Sequence, residues 1–337
     1  MKPAETIAIV GQGIAGTLLA AELERQGAAF HVYDAGPVGA ASAVSAGIIN
    51  PVTGRRLARS WRIAELLPLA RATYRELETR LGEPLWREMR VRRWFRDDRE
   101  RRIFAERRES GELAPFLGAG ESDGFWTEGA GHVNVPVLLA MTRRRWRERG
   151  CLTVGPVDPR ELRQRHAMVI LCTGAALAAA PVFTGVPWRL VGGELLTIAV
   201  PGLAENVILN RGIWVLPLGN GLAEVGATYA PDATEARPTA AGRMRLESEA
   251  RDLLGQPFEV REHRAGLRLT LPDQRPVVGR NAADPGWGVL AGLGSKGASL
   301  APWLARQWWN HLSEGVPFDP EVDVGRFGAP PSTSRIA

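Results

Sequence analysis

The stretch TIAIVGQGIAGTLLAAELERQGAAFHVYD (residues 6–34) contains, in order, an apolar run, a glycine-rich turn, an amphipathic segment and a second apolar run that ends in an acid. Ile7–Val10 are apolar without alternation, which predicts a strand buried on both faces of a parallel sheet. Leucines at helical spacing follow the glycines, and Gly27 is placed to end that helix. The stretch therefore predicts a β-α-β unit of the dinucleotide-binding type.

The glycines and the acid of this unit predict what it binds. Gly11 permits a tight bend, Gly13 has no Cβ to hold a pyrophosphate away, and Gly16 lets the helix lie close to the strand. We expect the phosphates at the N-terminus of that helix. Asp34 follows the glycines by roughly 20 residues, where a carboxylate accepts hydrogen bonds from a ribose diol and repels a 2′-phosphate. NADP is therefore disfavoured, and FAD and NAD remain.

Length and composition narrow the class of protein. A chain of 337 residues exceeds the size at which one hydrophobic core keeps growing, so we expect two domains. No apolar run approaches the length that crosses a bilayer, and the first strand begins too near Met1 for a leader peptide, so a cytoplasmic location is expected. Cys151 and Cys172 fit neither a disulfide framework nor a metal-ligand spacing, and no metal site is predicted.

The formal charge of +5 comes almost wholly from arginine, because Lys2 and Lys296 are the only lysines. The arginine-dense stretch 87–108 is interleaved with acids such as Asp97 and Asp98. Interleaved charges favour a solvated helix face over a nucleic-acid patch, so we expect no nucleic-acid partner.

A segment rich in small residues follows Asp34, over residues 35–56. Such a segment is suited to follow the surface of a ligand: Ala41 and Ser42 could contact phosphate, and Ala46 to Ile48 could run beneath a flat ring system. Its aliphatic end argues against a mobile linker.

Two later segments predict a return to the nucleotide-binding sheet. Residues 168–172 form a continuous apolar run that ends at Thr173 and Gly174, where open α/β sheets bind ligands. Gly292, Gly294 and Gly297 mark a second glycine-rich junction between a strand and a helix, which again presents amides and a positive helix end. Two such junctions favour a large anionic cofactor.

The remaining chain predicts a second domain. Residues 193–229 read as antiparallel strands with a hairpin turn at 219–221, and residues 241–254 read as a helix. Residues 64–81 predict an amphipathic helix. His132 is interpreted as a turn or capping residue.

Taken together, these motifs resemble the FAD-dependent oxidoreductases of the D-amino-acid oxidase and glycine oxidase family. The resemblance spans nearly the whole chain and rests on GQGIAG with Asp34, on ASAVSAGIINP (41–51), VILCTGA (169–175), AGLRLTLPDQRPVVG (265–279) and AGLGSKGASLAP (291–302). It implies an α/β fold in which an FAD-binding Rossmann-like domain of the glutathione-reductase type carries an inserted antiparallel-sheet substrate domain. The implied boundaries are 1–62, 126–190 and 263–337 for the FAD domain, and 63–125 and 191–262 for the substrate domain.

The resemblance also implies roles for single residues. Arg268 matches the arginine that binds the substrate carboxylate, and Trp214 stands where related oxidases often place an active-site tyrosine. Lys296 is expected at the flavin, where its charge would stabilise the anionic reduced ring. The absence of a cysteine beside GLGSKG favours non-covalent FAD. The expected cofactor-binding residues are Gly11, Gly13, Ile14, Ala15, Gly16, Asp34, Ala41, Ser42, Ala46, Gly47, Ile48, Thr173, Gly174, Gly292, Leu293, Gly294, Ser295, Lys296, Gly297 and Ala298.

Three functions are compatible with these patterns. The first is oxidation of a small amino acid or secondary amine by hydride transfer to flavin N5, which leaves an imine that water hydrolyses. The second is a tRNA-modifying flavoenzyme that acts on an aminomethyl-type group, for which the basic pI of about 9.8 is the only support. The third is a non-catalytic FAD-binding protein. A nicotinamide enzyme is a further alternative.

Overall fold

Two β-sheets organise the chain, which we describe from a computed structural model over residues 6–36 and 39–328. Strands and helices are numbered along the chain. The first sheet has six strands in the order β17 (Val277–Arg280), β18 (Trp287–Ala291), β10 (Met168–Leu171), β1 (Ile7–Val10), β2 (Phe30–Asp34) and β9 (Leu152–Val154). All neighbours are parallel except β17 and β18, so the predicted doubly covered parallel sheet is confirmed.

Strand β1 is buried from both sides because its residues alternate between two cores. Ile9 packs into the core that contains α1 and α7, whereas Ala8 and Val10 pack into the core on the other face. The helices of the molecule are α1 (Ile14–Arg25), α2 (Ile63–Leu81), α3 (Asp98–Glu109), α4 (Val135–Glu148), α5 (Pro159–Arg165), α6 (Ala240–Leu254) and α7 (Gly297–Glu314).

The second sheet has ten strands. Its order is β15 (Ala230–Pro231), β11 (Arg189–Ala199), β14 (Leu222–Gly226), β13 (Ile213–Gly219), β12 (Val207–Arg211), β6 (Trp86–Trp94), β8 (Gly124–Val133) and β3 (Ile48–Ile49), with β16 (Glu259–Thr270) paired to β11 and β7 (Leu117–Gly120) paired to β8. A separate small hairpin joins β4 (Val52–Thr53) to β5 (Ala58–Arg59). The α/β class with an added second sheet is as predicted.

The second sheet corrects three sequence interpretations. It is not wholly antiparallel, because β12 and β6 pair in parallel. The solvated helix face favoured for 87–108 is present only in the second part of the stretch, as α3; the first part is β6, in which Arg92 and Arg93 are buried. His132 is neither a turn nor a cap, since it lies buried in β8 opposite Ile48. In each case pairing between distant strands outweighed the local charge pattern.

Strands β8 and β16 each run past a predicted domain boundary, at residues 126 and 263, and both belong to the second sheet. The boundaries themselves stay a prediction. Within the described ranges 6–36 and 39–328, each helix is too short or too polar to span a bilayer.

Candidate active site

A cavity of ≈ 1310 Å³ opens between the two sheets. It exceeds the usual volume of a drug-sized ligand site, which is about 300–1,000 Å³. Its wall includes nearly every residue predicted to bind cofactor: Gly11, Gly13, Ile14, Ala15, Asp34, Ala41, Ser42, Ala46, Gly47, Ile48, Thr173, Gly174, Gly292, Leu293, Gly294, Ser295, Lys296 and Gly297. The structure thus brings four separate segments of the chain to one site.

The first glycine-rich turn and the small-residue loop meet at the N-terminus of α1. The Ile14 amide donates a hydrogen bond to Ser42 Oγ at 3.0 Å. A Cβ on Gly13 would meet only this side chain, with Ser42 Oγ at 3.1 Å. A hydroxyl therefore stands where the helix end presents its positive potential, which is the position expected for a phosphate oxygen.

Asp34 lies at the end of β2 and is 6% exposed. Its Oδ1 accepts from the Gln12 amide at 2.9 Å, and its Oδ2 accepts from the Gly36 amide at 3.2 Å and from Arg143 Nη1 at 2.7 Å. A carboxylate oxygen has two lone pairs, so Oδ1 retains one for a ribose hydroxyl. Arg143 lies on α4 and was not predicted, because nothing local in the sequence links α4 to Asp34.

The second glycine-rich junction lies against the first. A Cβ on Gly297 would sit 3.0 Å from Ile14 Cγ2, and α1 packs along α7. Lys296 is the N-cap residue of α7 and its side chain does not cap the helix. Burial lowers the pKa of Lys296, and the charge of Arg275 lowers it further. Two helix N-termini and a lysine therefore give this wall a positive potential.

The segment from Ala46 to Ile48 follows the cavity wall where a flat ring was predicted. Gly47 has a φ of +62°, and a Cβ there would collide with the Val133 backbone, at 2.9 Å from its carbonyl carbon. Glycine is required for this close approach. Gly16 and Ala298 lie behind the wall rather than on it. Gly16 packs against Gly11, and the Ala298 carbonyl accepts the Tyr74 hydroxyl at 2.8 Å.

Arg268 lies on β16 and lines the cavity. A Cβ on Gly193 would lie 2.5 Å from Arg268 Nη2, so the guanidinium rests on the bare backbone of β11. Arg268 is half-buried and makes neither a hydrogen bond nor an ion pair with any residue in the described ranges, and its partial burial lowers the pKa of its guanidinium. Glu194 lines a small pocket together with Arg268. Its carboxylate, however, is hydrogen-bonded to His263 Nε2 at 2.7 Å and to the backbone amide and hydroxyl of Thr239.

Trp214 lies on β13 and also lines the cavity. Its ring lies across Gly226 on the neighbouring strand, where an added Cβ would be 2.8 Å from Trp214 Cη2. The wall residues that were not predicted include Arg93, Arg96 and Asn210. Both arginines lie in the stretch whose charge pattern favoured a solvated helix face, and Asn210 reaches Arg93 only through the pairing of β12 with β6.

The wall fits the adenine dinucleotide expected at this site. A Cβ on Gly11 would lie 2.6 Å from the Cys172 carbonyl oxygen, so the turn closes tightly beneath the phosphate position. Asp34 is placed to accept from a ribose, and the segment from Ala46 to Ile48, further along the chain, lines the same cavity where a flat ring is expected.

Comparisons with known proteins agree with this geometry. The family model described as FAD dependent oxidoreductase (DAO) matches residues 6–308. Among solved structures, glycine oxidase from Geobacillus kaustophilus has a TM-score of 0.75 at 21% identity, covering 94% of this chain and 97% of that one. Iminodiacetate oxidase from Chelativorans sp. BNC1 has a TM-score of 0.72 at 20% identity, covering 94% and 98%.

A curated relative is the tRNA 5-methylaminomethyl-2-thiouridine biosynthesis bifunctional protein MnmC of Azoarcus sp. (strain BH72), which is 26% identical over 94% of this chain and 58% of its own length. The chain thus spans little more than half of that relative. The family model, by contrast, spans the glycine-rich turn, both sheets and the first part of α7, and the chain therefore belongs to the DAO family of FAD-dependent oxidoreductases.

Proposed function

We propose that this FAD-dependent oxidoreductase oxidises the carbon–nitrogen bond of a small amino acid or secondary amine. The observation that carries the proposal is the partnerless guanidinium of Arg268 on the cavity wall. A half-buried guanidinium without a carboxylate partner is partly desolvated at a cost, and an anionic ligand would relieve that cost. Its planar fork is suited to bind a carboxylate through two hydrogen bonds.

Bound FAD supplies the acceptor for the hydride that leaves the substrate's α-carbon, and water hydrolyses the resulting imine. The chain's own residues contribute binding and orientation. Arg268 would hold the carboxylate and thereby fix which hydrogen faces the ring, and Trp214 would close the cavity beside it. The two helix N-termini and Lys296 would supply positive potential on the cofactor side.

The test is an anaerobic screen of amino acids and N-methylated amines, with loss of the flavin's visible absorbance as the readout. We expect at least one carboxylate-bearing amine to bleach the flavin. Replacing Arg268 with Lys should raise the KM for that amine by tenfold or more, about 1.4 kcal/mol, because a point charge cannot reproduce the fork. FAD content should not change. Unaltered kinetics in this variant would remove Arg268 from the site.

A second candidate is oxidation of an aminomethyl-type group on a tRNA base. The similarity to MnmC favours it, and so does the pI of about 9.8. RNA binding whose affinity falls steeply with salt would support this function, since Lys and Arg that neutralise phosphates release counterions. Bleaching by free amino acids with no measurable tRNA binding would favour the first candidate.

A further inference from the structure

Two polar side chains of the second sheet, Arg93 and Asn210, face the cavity beside Trp214 and have no part in the proposed function. Arg93 of β6 lies opposite Asn210 of β12, and Asn210 lies opposite Trp214 of β13. Residues directly opposite each other on neighbouring strands share one face of a sheet, and these three all line the cavity. A polar corner formed by Arg93 and Asn210 therefore adjoins Trp214.

Arg93 is 4% exposed and is only partly satisfied. Its Nε donates to Glu100 Oε1 at 3.0 Å, and its Nη2 donates to Glu100 and, at 2.8 Å, to the Gly54 carbonyl oxygen. Its Nη1 makes no hydrogen bond within the described part of the chain. A buried guanidinium of the cavity wall thus keeps two N–H groups for a ligand.

Arg96 stands at the exposed mouth of the same corner. Its guanidinium carbon lies 3.5 Å from the position that a Cβ on Gly212 would take. Glu249 Oε2 approaches that position to 3.7 Å, but Glu249 pairs with Arg245 at 2.8 Å. Arg96 has no ion-pair partner over residues 6–36 and 39–328.

The charges around this corner leave an excess of positive charge. Glu100 offsets one of the two arginines, Arg93 and Arg96, while Asp97 pairs with Arg55 at 2.7 Å. Burial lowers the pKa of Arg93, and the charge of Arg96 lowers it further. The half-buried amide of Asn210 likewise lacks a hydrogen-bond partner among described residues. The corner can therefore accept an oxyanion without displacing an existing partner.

The corner is far from the guanidinium of Arg268. Arg268 rests on Gly193 of β11, and the order β11, β14, β13, β12, β6 places four strand spacings between Gly193 and Arg93. At ~4.8 Å per spacing these two backbones are roughly 19 Å apart across the sheet. Both side chains reach inward, but a ligand that contacts both must be elongated.

We propose that Arg93, Arg96 and Asn210 form a second subsite, which binds a carboxylate at the far end of an elongated amine substrate. The proposal rests on the proposed function and narrows its substrate class. The substrate would carry one carboxylate next to the reacting carbon, at Arg268, and another several bonds away, beyond Trp214.

The test uses the FAD-bound protein and calorimetric titration with unbranched α,ω-dicarboxylates of increasing length, each compared with the monocarboxylate of equal length. Long dicarboxylates should bind about tenfold more tightly than their monocarboxylate counterparts. Arg96→Gln should abolish this preference, and so should Asn210→Leu, which leaves every arginine in place. Arg99→Gln is the matched control, because Arg99 is an exposed residue of α3 that does not line the cavity; it should keep the preference.

Several outcomes would overturn the subsite. One is equal affinity for dicarboxylates and monocarboxylates in the unaltered protein, and another is a preference that survives Arg96→Gln. A third is that uridine monophosphate binds more tightly than any dicarboxylate and that this binding depends on Arg96. The subsite would then bind a phosphate and not a carboxylate.

The titration needs no turnover, so it separates the two proposals. If no amine is oxidised but the dicarboxylate preference persists, the proposed function fails and the subsite stands. If monocarboxylic amines are oxidised without a dicarboxylate preference, only the subsite fails.

Discussion

Lys296 combines a positive charge with a position at the start of a helix on the cavity wall. It is one of two lysines in an arginine-rich chain, it begins α7, and it lines the cavity. A compact ammonium at a helix N-terminus adds to the positive potential of the helix end. Its side chain makes no hydrogen bond within the described residues. No partner there neutralises its charge, which is therefore available to a ligand in the cavity.

We expect Lys296→Met to lower the reduction potential of the bound flavin, because the positive charge that favours the reduced, anionic ring is lost. Burial lowers the pKa of Lys296 below the 10.5 of an ordinary lysine. The charge therefore disappears as pH rises through that lowered value, and the difference between the two proteins should shrink over the same range. Spectroelectrochemical titration at several pH values measures this.

Lys296→Arg serves as the control, since it keeps the charge at all accessible pH values. Its potential should stay close to that of the unaltered protein and should not show the alkaline change. Equal potentials in the Met variant and the unaltered protein would mean that Lys296 faces away from the flavin.

Strand β11 makes room for the Arg268 side chain because it carries glycine at position 193. Gly193 and Gly266 are directly opposite each other on β11 and β16, and the Arg268 side chain occupies the space above Gly193. Neighbouring residues of a strand project to opposite faces, so Gly192 points away from the cavity face that holds Arg268. The two adjacent glycines can therefore be altered separately.

Gly193→Ala should displace the Arg268 guanidinium, because its methyl group would lie 2.5 Å from Nη2. We expect the KM for a carboxylate-bearing amine to rise by about tenfold, with the flavin still bound. Gly192→Ala introduces crowding on the other face, with Ala233 Cβ at 2.9 Å. Whatever its melting temperature, this control should not change KM, because Arg268 is on the opposite face. Equal KM values in both variants would contradict the placement of Arg268.

We expect FAD to stabilise the folded protein, because its cavity is lined by elements from separate parts of the chain. The cavity wall combines the first sheet, the small-residue loop, α7 and the second sheet. A ligand that binds only the folded state stabilises it, by about 2.7 kcal/mol at a hundredfold excess over its Kd. FAD should therefore raise the melting temperature of the apoprotein by several degrees.

Acid precipitation tests how the FAD is held. We expect the yellow colour in the supernatant, because no cysteine lies in the glycine-rich junction that begins α7. Flavin that remains in the pellet would show a covalent link. Adding FAD back to apoprotein and following thermal unfolding then measures the stabilisation, and an unchanged melting temperature would contradict non-covalent binding to the folded state.

The features that could be predicted from the sequence are those formed by neighbouring residues. The β-α-β unit, its glycine turn and Asp34 lie within residues 6–34, where periodicity and spacing report directly on local geometry. The second junction at Gly292 to Gly297 is equally local. Arg268 was predicted as a site residue only through the resemblance of its motif, since an isolated arginine more often forms a surface ion pair.

Local sequence patterns were therefore enough to predict the dinucleotide-binding unit and the second glycine-rich helix start, and they predict a ribose without a 2′-phosphate at Asp34. Only the tertiary structure decided that β6 pairs in parallel with β12, which buries Arg93 and places it beside Asn210 on the cavity wall. It also decided that Arg143 reaches Asp34. The physical reason is that strand pairing and helix packing join residues more than a hundred positions apart, and local charge or hydrophobic patterns carry no information about such partners.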